Sequence, residues 1–538
     1  MSDQQKECAS TSWYSEPSSP ARSEDGYESD DCASMASQTF AVPEDRKIGV
    51  GGAMFLIFNK VIGTGIFSTP SSVFAATGSV GVSLLLWLLG GIVAFCGLSV
   101  FLEFGLAIPR SGGTKNYVER VYRRPRYLAS CFVAAHVVLL SFSSANALSF
   151  GRYVLRAAWG HETDGWEARS VAVAVVTFAV VLHSILPKWG VRLFSALAIF
   201  KVVALLFIVF SGFAALAGHR RVPDPRNFDN VFQSEGDTGA YAVAKALLSV
   251  IYSYSGWESS TYVMGELKRP GRTLAAAAPI AMGSVTVLYL LANVAYFAAI
   301  PKPQLAASEV LVADAFFRNV FGDSAAARAL PMFVALSNLG NILASSFTNS
   351  RMIQELGKEG LLPCNRFWAS NRPFDTPSAA LFLHWIVTVI VLVAPPPGSA
   401  YTLLVNTSSY ATAWINASVV AGLLWLQHRK SENWSSPWHT WVPVSLVFLS
   451  ANLLLMFAPF VPPPGERKAG EYPYFVFPTV GLGTFGLASL YWVVWRKVIP
   501  YFRGHRLVSE RTYDENGVEV VHYRKLAVAH QSSDGPGM

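Results

Sequence analysis

Two glycine-bearing segments carry the residues whose chemistry is most informative. One spans 62–66 and the other 252–256, and each lies inside a long apolar stretch. Because glycine has no Cβ, a helix can unwind at such a segment with little steric cost. Unwinding leaves main-chain N–H and C=O groups without helical partners, and such groups are tolerated at membrane depth only beside a cavity or a ligand. The candidate binding residues are therefore Ile62, Gly63, Thr64, Gly65, Ile66, Tyr252, Ser253, Tyr254, Ser255 and Gly256.

The freed main-chain groups suit a ligand that carries both charges. N–H groups at the start of a half-helix have positive partial charge and attract a carboxylate. The freed carbonyls of Ile62 and of residues 252–255 can accept hydrogen bonds from an ammonium group. We therefore expect a zwitterion as the ligand. Small residues also let membrane helices pack closely, which is the alternative explanation for either glycine segment taken alone.

Three polar side chains lie in or beside apolar stretches. Lys201 is eight residues into the stretch that begins at 193, about 12 Å deep at about 1.5 Å per residue. A charge at mid-membrane costs about 2.5–3.5 kcal/mol, so Lys201 either titrates and carries a coupled proton or is a fixed cation bonded to main-chain carbonyls. Glu258 follows the second segment directly, and Asn341 lies on a later helix; ligand contact and ordinary packing are both open for these two.

The elements that must position these residues are membrane helices. The chain has 538 residues, of which 52% are hydrophobic and 14% charged, whereas an ordinary soluble chain is about a quarter charged. Apolar stretches long enough for a bilayer recur, and backbone groups in lipid must be satisfied within the segment, so we predict helices. The predicted spans are 49–76, 81–107, 127–151, 170–186, 193–217, 240–265, 274–300, 330–350, 377–394, 400–426, 440–460 and 475–495.

The glycine segments fall in the first and the sixth of these twelve spans. Broken helices in corresponding positions of two halves indicate the substrate site of an inverted-repeat transporter. We therefore predict an all-α membrane protein with a five-plus-five inverted repeat in which helices 1 and 6 are broken. We find no HExxH motif, nucleophile elbow or paired catalytic carboxylates, so we predict no enzyme activity, no catalytic residues, no metal and no cofactor.

Charge defines the domains and the expected orientation. The acidic, serine-rich residues 1–48 are predicted to be a disordered tail, residues 49–499 the transmembrane domain, and residues 500–538 a C-terminal tail. The short connections that we place inside carry 17 Lys and Arg against 11 in the others, which predicts that both termini are cytoplasmic. The same bias explains the net charge of +7 without a nucleic-acid partner.

The C-terminal tail contains a turn signal. Asn516 and Gly517 lie between two short stretches, 511–515 and 518–523. Asn-Gly favours a type I′ turn, so this pattern predicts a β-hairpin. A disordered tail is an equal alternative.

Four stretches resemble motifs of the amino acid–polyamine–organocation superfamily, specifically its L-type amino acid transporter branch; they are 62–67, 103–113, 254–257 and 350–363. Within the branch the chain resembles the fungal high-affinity methionine permeases at Asn59-Lys60, at 115–117 and at 394–398. The resemblance implies alternating-access import of a neutral L-amino acid, methionine, across the plasma membrane by proton symport. It also implies that Lys201 couples the proton and that Tyr252 is the gating aromatic residue.

Glu258 departs from this resemblance, since the branch has a neutral residue after the tryptophan. Selectivity is therefore open between methionine and large neutral amino acids in general, whether the protein is a permease or an exchanger. A transporter-like nutrient sensor is a further alternative.

The resemblance also bears on partners. Animal members of the branch are disulfide-linked to a glycoprotein through a cysteine after helix 3, and residues 152–169 contain none, so we expect no such heavy chain. Fungal permeases of this kind are removed after ubiquitination, which makes Lys6 and Lys47 candidate sites for a ubiquitin-ligase adaptor. Normal clearance of a variant with arginine at both positions would refute that hypothesis.

Overall fold

The computed structural model describes residues 47–160, 165–234, 240–308, 311–322, 330–394, 400–462, 473–503, 505–513 and 519–527. Within these ranges nine helices are long and apolar enough to cross a membrane, and two shorter apolar helices accompany them. Pro331–Lys358 is equally long, with 28 residues, but more polar. Together they occupy the twelve predicted spans and form an all-α, multi-span membrane protein.

The helices are α1 Val50–Val61, α2 Thr64–Thr77, α3 Val80–Ala107, α4 Thr114–Val121, α5 Leu128–Leu140, α6 Ser144–Trp159, α7 Trp166–Ile185, α8 Pro187–Leu216, α9 Ala240–Tyr254, α10 Ser259–Tyr262, α11 Pro270–Ala299, α12 Lys302–Ala307, α13 Val312–Phe321, α14 Pro331–Lys358, α15 Asn365–Ala369, α16 Ser378–Val393, α17 Ala400–His428, α18 Val442–Phe457, α19 Val476–Val493 and α20 Ile499–Arg503.

Both predicted helix breaks are confirmed. The first span consists of α1 and α2, which are separated by Ile62 and Gly63. In the sixth span α9 ends at Tyr254 and α10 begins at Ser259. Gly256 has a φ of +113°, a left-handed conformation that side-chain-bearing residues rarely adopt. Each span is therefore interrupted at a segment that contains glycine.

The third span is also broken, which we did not predict. The expected helix over 127–151 is divided into α5 and α6 by residues 141–143. Ser141 O accepts a hydrogen bond from Asn349 Nδ2 at 2.5 Å, and Ser143 Oγ lies 3.2 Å from His384 Nε2. Asn349 therefore supplies Ser141 O with a hydrogen bond in place of the one that a continuous helix would provide.

Of the predictions for the two terminal tails, only the C-terminal hairpin falls within the described residues. Residues 1–46 lie outside the described residues. Strands β1, His505–Tyr513, and β2, Glu519–Ala527, pair antiparallel, so the predicted hairpin is confirmed. Tyr513 pairs with Glu519, whereas a two-residue turn at Asn516-Gly517 would pair Tyr513 with the next residue, Val520. Residues 514–518 themselves lie outside the described residues.

Candidate functional site

The two broken spans contact each other at their glycines. A Cβ on Gly65 would lie 2.7 Å from Ser253 Cα, and one on Gly256 would lie 2.7 Å from Lys60 Cγ and 2.9 Å from Lys60 O. Real side chains essentially never approach so closely, so both positions require glycine. The glycines that allow the helices to unwind also allow the unwound segments to pack backbone against backbone.

Three consecutive carbonyls at the end of α1 are capped by side chains from three other helices. Unwinding removes their helical donors, and each carbonyl instead accepts a hydrogen bond from a distant residue. The pairs are Lys60 O with Asn341 Nδ2 at 2.7 Å, Val61 O with Tyr289 OH at 2.9 Å, and Ile62 O with Lys201 Nζ at 2.6 Å. The break is therefore a defined structure held by α8, α11 and α14.

The start of α2 presents main-chain N–H groups. The first N–H groups of any helix lack an intrahelical acceptor. Thr64 N donates to Asn146 Oδ1 at 3.0 Å. Asn146 lies just beyond the break in the third span. The unpredicted break therefore positions, at the start of α2, a site residue that the sequence analysis missed.

The carbonyls of the second break already have protein donors. Tyr252 O accepts from Ser255 N at 3.0 Å and from Ser255 Oγ at 2.6 Å. Ser253 O accepts from Tyr289 OH at 3.2 Å. A carbonyl oxygen has two lone pairs, so Ser255 occupies both on Tyr252 O, whereas Ser253 O can accept a further hydrogen bond from a ligand ammonium.

One polar cavity of about 130 Å³ lies between the two breaks. Most of the predicted binding residues line it, namely Gly63, Thr64, Gly65, Tyr252, Ser253, Ser255, Gly256, Glu258 and Asn341. The predicted residues that lie outside its lining are Ile62, Ile66, Tyr254 and Lys201. Tyr254 is instead packed edge-on against Trp87 and close to Tyr289. Ile66 is fully buried in the core.

The tenth span supplies lining residues that sequence reasoning did not select. Ser408, Thr412 and Asn416 of α17 line the cavity. They are four residues apart, and this spacing places side chains on one face of a helix. A polar stripe of this kind in an apolar helix was the available signal.

Lys201 lies behind the first break and is fully buried. Its ammonium nitrogen is 2.6 Å from Ile62 O and 3.2 Å from Asn59 O. Both carbonyls belong to the first span, so Lys201 contacts the unwound segment without lining the cavity. A change in the charge of Lys201 would act on the backbone that borders the ligand cavity.

A buried ion cluster outside the membrane spans joins α4 to the end of α14. Lys115 Nζ is 2.5 Å from Glu119 Oε2 and 2.5 Å from Glu359 Oε2. Burial alone would lower the pKa of Lys115, but the two carboxylates outweigh burial and raise this pKa. Burial raises the pKa of Glu359 to about 7, against the attraction of Lys115. The raised pKa of Glu359 therefore makes the charge of this cluster depend on pH.

This cluster predicts a pH-dependent stability. The pKa of Glu359 in the folded protein, about 7, lies above the value of about 4.3 in an unfolded chain. The stabilisation is therefore complete below about pH 4 and is lost as pH rises through about 7. Thermal unfolding in detergent should show a Tm that falls from about pH 5 to about pH 7, and Glu359→Gln should flatten that fall. The exposed Glu167→Gln control should keep the wild-type slope; an equal slope in Glu359→Gln would contradict the assignment.

A multi-span helical bundle with two broken helices that meet at a polar cavity is the architecture of a secondary transporter. A profile of the amino acid permease family matches residues 48–485. The chain belongs to this family and is an amino acid permease.

Three relatives are informative. The high-affinity methionine permease of Saccharomyces cerevisiae is 39% identical over 490 residues, 90% of this chain and 85% of the yeast protein. The low-affinity methionine permease of the same yeast is 30% identical over 90% of this chain and 88% of its own length. The b(0,+)-type amino acid transporter 1 of Mus musculus is 29% identical over 80% of this chain and 85% of its own length.

Proposed function

We propose that this protein imports a neutral L-amino acid, methionine, across the plasma membrane by proton symport with alternating access. The observation that carries the proposal is the cavity between the two breaks, which is lined by Gly63, Gly65, Ser255 and Gly256. The similarity to two yeast methionine permeases supports the choice of substrate.

The substrate carboxylate binds at the start of α2. Helix N-termini attract anions through their N–H groups and dipole, and Thr64 and Gly65 of this terminus line the cavity. Asn146 holds the amide of Thr64 and thereby fixes the direction of the terminus. The ammonium group lies towards Tyr252 and Ser255, and the Tyr252 ring closes over the bound substrate.

The proton acts through Lys201. A charged Lys201 holds Ile62 O. Loss of its proton leaves a neutral amine, which donates a weaker hydrogen bond, and this loosens the first break. Substrate affinity then follows the protonation of Lys201, which couples an inward proton gradient to uptake. The alternative is a fixed cation with only a structural role, in which case uptake by Lys201→Ala would still respond to outside pH.

The remaining parts of the proposal concern placement and partners. Both termini are cytoplasmic, as the Lys and Arg bias favours. The chain works without a disulfide-linked heavy chain, because residues 152–169 contain no cysteine. A ubiquitin-ligase adaptor recognises the N-terminal tail, with Lys6 and Lys47 as the modified residues; Lys6 lies outside the described residues.

Uptake with a competition panel tests the proposal. In cells that lack their own methionine uptake, the chain should confer saturable uptake of labelled methionine. Unlabelled methionine should compete strongly, and leucine or phenylalanine at least about tenfold less well, since even one extra or missing methylene group in a pocket is worth about 1–3 kcal/mol. Equal competition by large neutral amino acids would favour the broad permease or exchanger. Binding without uptake would favour the sensor.

A further inference from the structure

The cavity continues past the two breaks towards α4. Thr114, the first residue of α4, and Tyr262, the last residue of α10, line the same cavity as the glycines. Two oppositely charged residues, Lys60 and Glu258, line it as well. This part of the cavity is not used by the site proposed above.

Lys60 and Glu258 project from adjacent points of the two breaks. Gly256 is packed against Lys60 Cγ, and Glu258 follows two residues later. Lys60 Nζ donates to Ser345 Oγ at 2.8 Å, and Glu258 Oε2 accepts from Gly256 N at 2.9 Å. The two charges attract each other, but the hydrogen bonds of each group are to a neutral partner.

Each group keeps capacity for a ligand. An ammonium group has three N–H donors and a carboxylate about four acceptor positions, so one hydrogen bond leaves both groups able to bind more. Charged side chains at membrane depth are expensive and mark substrate or ion pathways by default. An amino acid zwitterion carries the complementary pair of charges on neighbouring atoms.

We propose that Lys60 and Glu258 form a second zwitterion subsite, on the α4 side of the breaks, which the amino acid occupies after it leaves the first. Lys60 binds the carboxylate and Glu258 binds the ammonium group. The proposal rests on the proposed function, because it assumes that an amino acid passes through this cavity. It gives Glu258, the residue that departs from the family pattern, a role in binding the substrate after the substrate leaves the first site.

Transport measured separately from each face tests the subsite. In proteoliposomes of known sidedness, Lys60→Met and Glu258→Gln should raise the KM for methionine presented at the α4 face. That increase should exceed the increase at the opposite face by about tenfold or more, the size of effect expected for a lost charge-assisted hydrogen bond. Lys245→Met removes an exposed lysine from the sixth span and should leave the KM at both faces unchanged.

Two methionine analogues assign the charges. 3-(Methylthio)propylamine lacks the carboxylate, so as an inhibitor from the α4 face it should lose potency in Glu258→Gln and keep it in Lys60→Met. 4-(Methylthio)butanoate lacks the ammonium group and should show the reverse. Potencies that do not separate in this way would overturn the assignment.

The double variant separates substrate binding from mutual charge compensation. If the two charges only neutralise each other, Lys60→Met with Glu258→Gln should restore wild-type transport. The proposal expects the double variant to be at least as impaired at the α4 face as the worse single variant. Restoration, or an unchanged KM ratio in the single variants, would overturn the subsite while wild-type uptake still stands. Absence of uptake in the wild type would instead refute the proposed function.

Discussion

Replacing Lys201 with alanine should abolish the dependence of methionine uptake on outside pH and lower the uptake rate about ten- to hundredfold. Hydrogen bonds from charged groups contribute about 1.5–3 kcal/mol, and each 1.36 kcal/mol is a factor of about ten. Lys201 is the donor to Ile62 O at 2.6 Å and to Asn59 O at 3.2 Å. The unwound segment loses this support whether or not a proton is present.

The measurement is uptake of labelled methionine across a range of outside pH, with and without an uncoupler. Wild-type uptake should rise as outside pH falls and should collapse with the uncoupler. The residual uptake of the Lys201→Ala variant should respond to neither. Lys245→Ala is the matched control, since Lys245 lies in a membrane helix but is exposed, and it should behave as wild type. If Lys201→Ala lowers the uptake rate but uptake still depends on outside pH, Lys201 is a fixed structural cation and does not couple the proton.

Gly256→Ala should reduce uptake at least as strongly. A side chain at a φ of +113° is strained by about 1–3 kcal/mol, and its Cβ would lie 2.7 Å from Lys60 Cγ and 2.9 Å from Lys60 O. The second contact is with main chain, which cannot rotate away. The two breaks must therefore move apart, and the cavity between them changes shape.

Uptake should be compared with surface abundance and with the thermal stability of the purified variant. Gly283→Ala is the control, because its Cβ would meet nothing closer than Phe95 Cζ at 3.6 Å, an ordinary contact. We expect Gly283→Ala to transport normally and Gly256→Ala to reach the membrane without transporting. Wild-type uptake in Gly256→Ala would show that close packing of the breaks is not needed for transport.

The sequence was least informative where a contact depends on distant residues. Tyr252 and Tyr254 were both selected as binding residues, but two residues on a helix project about 200° apart at 3.6 residues per turn. Tyr252 lines the cavity, and Tyr254 is packed against Trp87 on the other side. Which of the two faces the ligand depends on the rotation of α9 against α3, and no local pattern encodes this rotation.

Asn146 shows the same limit in the third span. Its serine-rich segment 141–144 was included in an unbroken helix, because apolar residues on both sides satisfy the pattern of a membrane span. The segment is held by residues on two other spans: Asn349 donates to the main-chain oxygen of Ser141, and His384 contacts the hydroxyl of Ser143. Only the assembled bundle shows that Asn349 is close enough to replace a helical hydrogen bond.

What the sequence determined by itself is local: the membrane spans from their apolar length, and the two helix breaks from glycines that remove the steric cost of unwinding. The tertiary structure decided which side chains donate hydrogen bonds to the main-chain carbonyls that the breaks expose. Lys201 meets Ile62 O across 139 residues of chain, and Asn341 meets Lys60 O across 281. The physical reason is that steric freedom is a property of single residues, whereas hydrogen-bond partners of freed main-chain groups depend on how whole helices pack.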